Sequence, residues 1–127
     1  MVNNIRHKAL CSVCSKQVYT RAYLKQSVLC TNCMFQKNLL KNYGLTLAVY
    51  NTLLEKQGKC CPICERLAAL CALPGPGKHY GLVVDHCHKT NIVRGLLCHR
   101  CNTLLGTAKD RPDILKRALL YLENMLF

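Results

Sequence analysis

Gly81-Leu82-Val83-Val84-Asp85-His86-Cys87-His88-Lys89-Thr90-Asn91-Ile92-Val93-Arg94-Gly95-Leu96-Leu97-Cys98-His99-Arg100-Cys101-Asn102 is the most informative stretch of this chain. The apolar run Gly81 to Val84 predicts a buried strand that ends at Asp85-His86-Cys87-His88. Lys89-Thr90-Asn91 is turn material, and Asn91 can take a positive φ. Ile92 to Leu97 predicts a second strand, and the Cys98-x2-Cys101 pair is expected to open a helix that contains Asn102. Two strands joined by a turn and followed by a helix make a small ββα unit.

Cysteine spacing says how such a unit is held. There are 11 cysteines in 127 residues, and eight fall into four Cys-x2-Cys pairs: Cys11/Cys14, Cys30/Cys33, Cys61/Cys64 and Cys98/Cys101. An odd count with no apolar leader between Met1 and Leu10 argues against a secreted disulfide framework and for metal ligation in a reducing interior. Each pair can aim two thiolates at one ion, and two pairs complete the tetrahedral shell of Zn²⁺. The first two pairs enclose 15 residues and predict an N-terminal zinc site; the last two enclose 33 and predict a second site that clamps both ends of the ββα unit.

Between the first two pairs, Val18, Tyr19, Arg21, Tyr23 and Lys25 alternate loosely, as in a hairpin of a zinc-ribbon or treble-clef module. This surface suits nucleic acid, or else simply covers the metal. Residues 34–44 predict a short helix ending at Gly44. Thr46 is the expected N-cap of a second helix with Leu47, Tyr50, Leu53 and Leu54 on one face and Gly58 as its stop. Leu67 to Leu73 is apolar, and Pro74-Gly75-Pro76-Gly77 is a turn. Asp110 is the expected cap of a C-terminal helix with Pro112 in its first turn. Leu115, Leu119, Leu122 and Leu126 line one face of that helix, beside Ile114, Ala118 and Met125.

Charge narrows the partners. Lys and Arg outnumber Asp and Glu by 18 to 6, a formal +12. Eight thiolates with two Zn²⁺ lower this to about +8, still strongly basic, so nucleic acid is the natural partner. No apolar run exceeds seven residues, which excludes a membrane-spanning helix. A cytoplasmic, intracellular location is expected.

The chemistry is expected at the hairpin. Asp85 and Asn102 are hard oxygen ligands of the kind that Mg²⁺ or Mn²⁺ prefers. A neighbouring imidazole can take a proton from water. Asp85-His86-Cys87-His88 could instead be a zinc motif, although the four cysteine pairs already fill two sites. Cys60, Cys71 and Cys87 are expected to be buried small hydrophobes, with Cys60 a competitor of Cys61 as ligand. His7, His79 and His99 are expected to be surface or structural. Lys89, Arg94 and Arg100 are candidate phosphate contacts; Arg94 could equally pair with a carboxylate.

The stretch from Val84 to Asn102 strongly resembles the recombination endonuclease VII family, His-Me finger nucleases related to the HNH enzymes. The likeness runs from Lys41-Asn42-Tyr43-Gly44 to the last helix near Tyr121, roughly the last two-thirds of the chain. It implies an α+β, zinc-stapled fold, with a ββα-metal core and flanking helices at 36–127; the zinc-ribbon or treble-clef-like module expected at 1–35 lies outside the resemblance. It implies structural Zn²⁺ on Cys61, Cys64, Cys98 and Cys101, one catalytic Mg²⁺ or Mn²⁺ on Asp85 and Asn102, and His86 as general base. His88 is similar to a second active-site histidine near the phosphate. Asn91 stands where the family usually carries glycine. The implied activity is endonucleolytic cleavage of DNA, branched as in phage recombination, or duplex, with a second copy of the chain as a candidate partner. A nicking or homing HNH-type enzyme and a non-catalytic zinc-dependent DNA binder are the alternatives.

Overall fold

The computed structural model describes residues 7–20, 27–71 and 81–124. Arg21, Tyr23, Lys25, the Pro74-Gly75-Pro76-Gly77 turn, His79, Met125 and Leu126 lie outside the described residues. The element order is β1 (His7–Leu10), β2 (Gln17–Thr20), α1 (Thr31–Tyr43), α2 (Leu47–Lys56), a single 3₁₀ turn at Ala68–Leu70, β3 (Val83–His86), β4 (Val93–Leu97), α3 (His99–Thr107) and α4 (Pro112–Glu123). The strands form two separate antiparallel pairs, β1-β2 and β3-β4, so the chain is a small α+β protein. It divides into two units, residues 1–50 and 51–127.

In the first unit the Cys11/Cys14 pair is itself the turn of a hairpin, with Leu10 opposite Gln17 and His7 opposite Thr20. β2, which carries Val18 and Tyr19, thus pairs with the strand before the first cysteine pair, while Arg21, Tyr23 and Lys25 of the expected hairpin lie outside the described residues. The reason is local: the knuckle's own backbone bonds already reverse the chain. Cys30 caps α1, its Sγ accepting from the Cys33 N–H at 3.5 Å. The helix therefore starts at Thr31, earlier than the pattern at 34–44 predicted. It ends at Gly44, whose φ of 65° lets the Gly44 and Leu45 N–H groups turn back onto Leu40 and Leu39 carbonyls. Thr46 caps α2 as expected, its hydroxyl accepting from Val49 N–H at 3.3 Å. Tyr50, 2% exposed, meets Phe35 edge-to-face with centroids 5.2 Å apart.

In the second unit β3 and β4 pair from Val83 opposite Leu97 to His86 opposite Val93, with a bulge between Asp85 and His86. Leu82, Val84, Leu96 and Leu97 are its buried apolar centre. Gln57, just past α2, completes the sheet from the side. Its amide nitrogen donates to the Leu96 carbonyl and its amide oxygen accepts from the Leu96 N–H, both at 2.8 Å. Gly95 makes room for it, since a Cβ there would lie 3.0 Å from the Gln57 oxygen. Gln57→Ala leaves two main-chain groups of a buried residue without partners and is expected to cost about 1–3 kcal/mol. Urea unfolding of the zinc-loaded protein measures this, and an unchanged midpoint would contradict the bracing role.

Two expectations need correction, on the α4 cap and on the three remaining cysteines, and one apolar face is exposed among the described residues. Asp110 does not cap α4: the N-cap is Arg111, which provides no side-chain bond, because Pro112 takes the first helical position. The leucine stripe of α4 is not buried among the described residues; Leu119 and Leu122 are 56% and 67% exposed. Periodicity detects an apolar face but not its cover. Cys60, Cys71 and Cys87 are half-buried, not core, and the thiols of Cys60 and Cys71 point at main-chain carbonyls of Gly58 and Arg66.

Candidate active site

The same turn is built three times. The N–H of Cys11, Cys61 and Cys87 donates to the carbonyl five residues on, and the N–H four residues on donates back to the carbonyl of the same cysteine. The returning residue is left-handed in each case: Ser15 at φ 55°, Glu65 at 57° and Asn91 at 56°. The flanking pairs are also alike, Leu10 with Gln17, Cys60 with Leu67 and His86 with Val93. In the first two turns the fourth residue is a second cysteine, Cys14 or Cys64; in the third it is Thr90. The hairpin of β3 and β4 therefore bends on a zinc-knuckle backbone without the second thiol. Asn91 takes this conformation at little cost because asparagine tolerates it.

The first two turns feed four-cysteine clusters. The Sγ atoms of Cys11, Cys14, Cys30 and Cys33 lie within 4.8 Å of one another, and so do those of Cys61, Cys64, Cys98 and Cys101. Cys14 and Cys30 approach to 3.6 Å, Cys64 and Cys98 to 3.7 Å. Both clusters pair a knuckle with a helix N-terminus, for Cys98 caps α3 just as Cys30 caps α1. Thiolates there meet main-chain N–H groups and the positive end of the helix dipole. The N–H groups of Cys30 and Cys14 draw the Cys11 thiol down to about 6. Burial opposes the same effect at Cys61, yet the N–H groups of Cys98 and Cys64 bring it to about 6 as well. Hydrogen bonding to Cys30, with burial, pushes Cys33 up to about 12, and burial pushes Cys101 up. Both clusters can hold zinc, and Cys61, not Cys60, belongs to the second.

The hairpin brings Asp85, His86 and His88 together. Asp85 is 5% exposed at the bulge of β3, a feature that re-aims side chains. The His86 and His88 rings lie 4.9 Å apart at 48°. Asn102 sits half-buried in the first turns of α3, its N–H on the Cys98 carbonyl at 3.0 Å. Lys89 and Arg100 are exposed, as are His7 and His99. Arg94 pairs with carboxylates: its Nε and terminal nitrogen reach the two Asp85 oxygens at 2.7 and 2.8 Å, and it also donates to Asp110 at 2.9 Å. The Asp85 carboxylate, then Asp110, hold the guanidinium proton more firmly than usual.

Sequence reasoning missed Asp110 as part of this group. Its second oxygen lies 2.7 Å from His88 Nδ1. The His88 ring, then Arg94, hold its carboxyl below the usual carboxylate range. The signal was present in Pro112, which fixes the N-cap at Arg111 and leaves Asp110 one residue too early to cap.

A family model for recombination endonuclease VII matches residues 36–124, which include the second cysteine cluster, the hairpin and α3. This chain belongs to the recombination endonuclease VII family. Among curated proteins it is similar to the gene 59 protein of Mycobacterium phage D29, 44% identical over 91 residues, or 71% of this chain and 50% of that one. The gene 59 protein of Mycobacterium phage L5 is likewise 44% identical over 91 residues, covering 71% of this chain and 51% of that protein. The chain thus spans about half the length of the curated relatives it matches. Among solved structures it is similar to the ββα-Me type II restriction endonuclease Hpy99I, with a TM-score of 0.40 and 26% identity, over 91% of this chain and 65% of that one.

Proposed function

We propose that this protein is a metal-dependent endonuclease that hydrolyses phosphodiester bonds in DNA and prefers branched DNA. One observation carries the reading: the recombination endonuclease VII model matches residues 36–124, and that segment contains Asp85 and His86 on bulged β3 and Asn102 on cysteine-capped α3. Residues 36–127 form the nuclease domain in this reading, and residues 1–35 add a zinc module with affinity for DNA. Two structural Zn²⁺ sit in the two clusters. Kinship to gene 59 proteins of two mycobacteriophages supports a phage-encoded protein acting in a host cytoplasm. Among the described residues no helix is long and apolar enough to cross a membrane. A homodimer fits paired cuts on a two-fold symmetric junction.

The residues divide the work by chemistry. Asp85 and Asn102 offer hard oxygen donors to Mg²⁺ or Mn²⁺. The fit is sound, because an ionised carboxylate has about four lone-pair sites and the Arg94 fork fills two on Asp85. When bound, such an ion supplies Lewis-acid stabilisation of developing phosphoryl charge. His86 accepts the proton of the attacking water, and His88 lies beside the phosphate. Lys89 and Arg100 are open to the DNA backbone, whereas Arg94 reaches a phosphate only by giving up a carboxylate.

The test is cleavage of a synthetic four-way junction beside its matched linear duplex, with Mg²⁺. The junction is expected to be cut faster. Equal cutting of both would favour a nicking or homing-type enzyme. Binding without cutting of either would leave a zinc-dependent DNA-binding protein.

A further inference from the structure

We infer that Asp110 is a positioning residue of the proposed cleavage site: it fixes which nitrogen of His88 faces the substrate and steadies Arg94 against Asp85. The inference rests on the nuclease reading above and adds a residue to it. Four side chains form one continuous chain of bonds across the second unit, from Asp85 on β3 through Arg94 on β4 and Asp110 between α3 and α4 to His88 in the hairpin turn. Asp110, between α3 and α4, ties this chain to the helices.

An ionised carboxylate can only accept hydrogen bonds. With its oxygen 2.7 Å from His88 Nδ1, the proton of a neutral ring must sit on Nδ1. The nitrogen left for substrate is then Nε2, with a lone pair when the ring is neutral and an N–H when it is charged. The other Asp110 oxygen takes Arg94 at 2.9 Å, so the guanidinium that grips Asp85 cannot swing freely.

The backbone argues that this contact is more than a surface ion pair. Lys109 and Asp110 are both left-handed, at φ 53° and 52°; aspartate tolerates that conformation, whereas Lys109 adopts it at a cost. His88 is 63% exposed, and a pair so exposed returns little stability to the fold. Nor does the turn place Asp110 as a helix cap, because Arg111 holds that position. The turn closes α3, with the Lys109 and Asp110 N–H groups donating to the Gly106 and Leu105 carbonyls at 3.0 Å, and in doing so it delivers one carboxylate to a histidine and an arginine of the hairpin at once.

The experiment compares the full-length, zinc-loaded protein with Asp110→Asn and Asp110→Glu. Three quantities are read: the His88 tautomer by long-range ¹H–¹⁵N NMR, single-turnover cleavage against DNA affinity, and melting temperature. Asp110→Asn is expected to move His88 away from the Nδ1–H form and to slow cleavage about 10–100-fold, the usual effect of losing a residue that orients a site histidine. DNA affinity and melting stay at parental values. Asp110→Glu, which keeps a carboxylate, recovers part of both signals. A cutting parent whose Asp110→Asn variant keeps the Nδ1–H tautomer, or the parental rate, overturns the inference alone. A variant that melts well below the parent assigns Asp110 a structural role and also overturns it. A parent that cuts no DNA overturns the nuclease reading, and this inference with it.

Discussion

Removing zinc is expected to unfold the protein, not merely to silence it. Of the 13 buried apolar side chains among the described residues, six are cluster cysteines: Cys11, Cys30, Cys33, Cys61, Cys98 and Cys101. In the first unit one buried cluster is Cys11, Cys30 and Cys33, with Val18 and Leu29 packed against it, and Leu39 and Tyr50 are the other buried apolar side chains among the described residues. Without a metal, four thiol or thiolate sulfurs within 4.8 Å of one another would be asked to act as a hydrophobic core. Structural zinc contributes on the order of 10–16 kcal/mol in small modules, as much as the whole stability of a typical domain, about 5–15 kcal/mol. The start of α1 and the start of α3 depend on it as well, because Cys30 and Cys98 are cap and ligand at once. Elemental analysis of fresh protein is expected to give two zinc per chain, and a strong chelator to abolish its helical circular dichroism. A folded protein with one zinc or none would refute this.

The second large effect is catalytic. His86→Ala is expected to slow DNA hydrolysis by about 10²–10⁴-fold, the usual contribution of a general base, while leaving DNA binding in place. His86 follows the bulge after buried Asp85 and stacks against His88, and no other imidazole joins the hairpin among the described residues. Asp85→Ala and Asn102→Ala are expected to act differently: they weaken the divalent ion, so excess Mn²⁺ restores part of their activity and nothing in the His86 variant. The competing role for His86, as a zinc ligand, has lost its site, since each cluster is complete in cysteine. Zinc content, melting and single-turnover cleavage of one His86→Ala preparation decide the matter. A folded, zinc-replete variant that cuts at the parental rate would remove His86 from the mechanism.

Much of this arrangement was legible in the sequence because its rules are local. Cysteine spacing gave both clusters, apolar runs on either side of a turn gave β3 and β4, and Gly44 and Thr46 marked where α1 stops and α2 starts. The readings that failed depended on partners far along the chain. Nothing near Gln57 announces that its amide will pair with Leu96, 39 residues on. Nothing near Arg94 tells a phosphate from a carboxylate, and its carboxylates come from positions 85 and 110. Asp110 was misread because a carboxylate before a helix is usually a cap, a prior that Pro112 should have shifted by one residue. The apolar stripe of α4 was visible, but a stripe does not name what lies against it.

The two clusters also differ in how much chain each must gather. Fifteen residues separate Cys14 from Cys30, whereas 33 separate Cys64 from Cys98, and β3, its turn and β4 all lie within the longer span. Closing a loop costs about 0.6 kcal/mol for each doubling of its length, so the second cluster is the harder to close. It is also the later to leave the ribosome. Assembly therefore runs in one direction: the N-terminal cluster can close while the second knuckle still waits for Cys98 and Cys101. The hairpin that bears Asp85 and His86 is locked only when those last two thiols arrive. A chain interrupted before Cys98 carries both histidines and a complete first cluster, yet has no closed frame on which to align them.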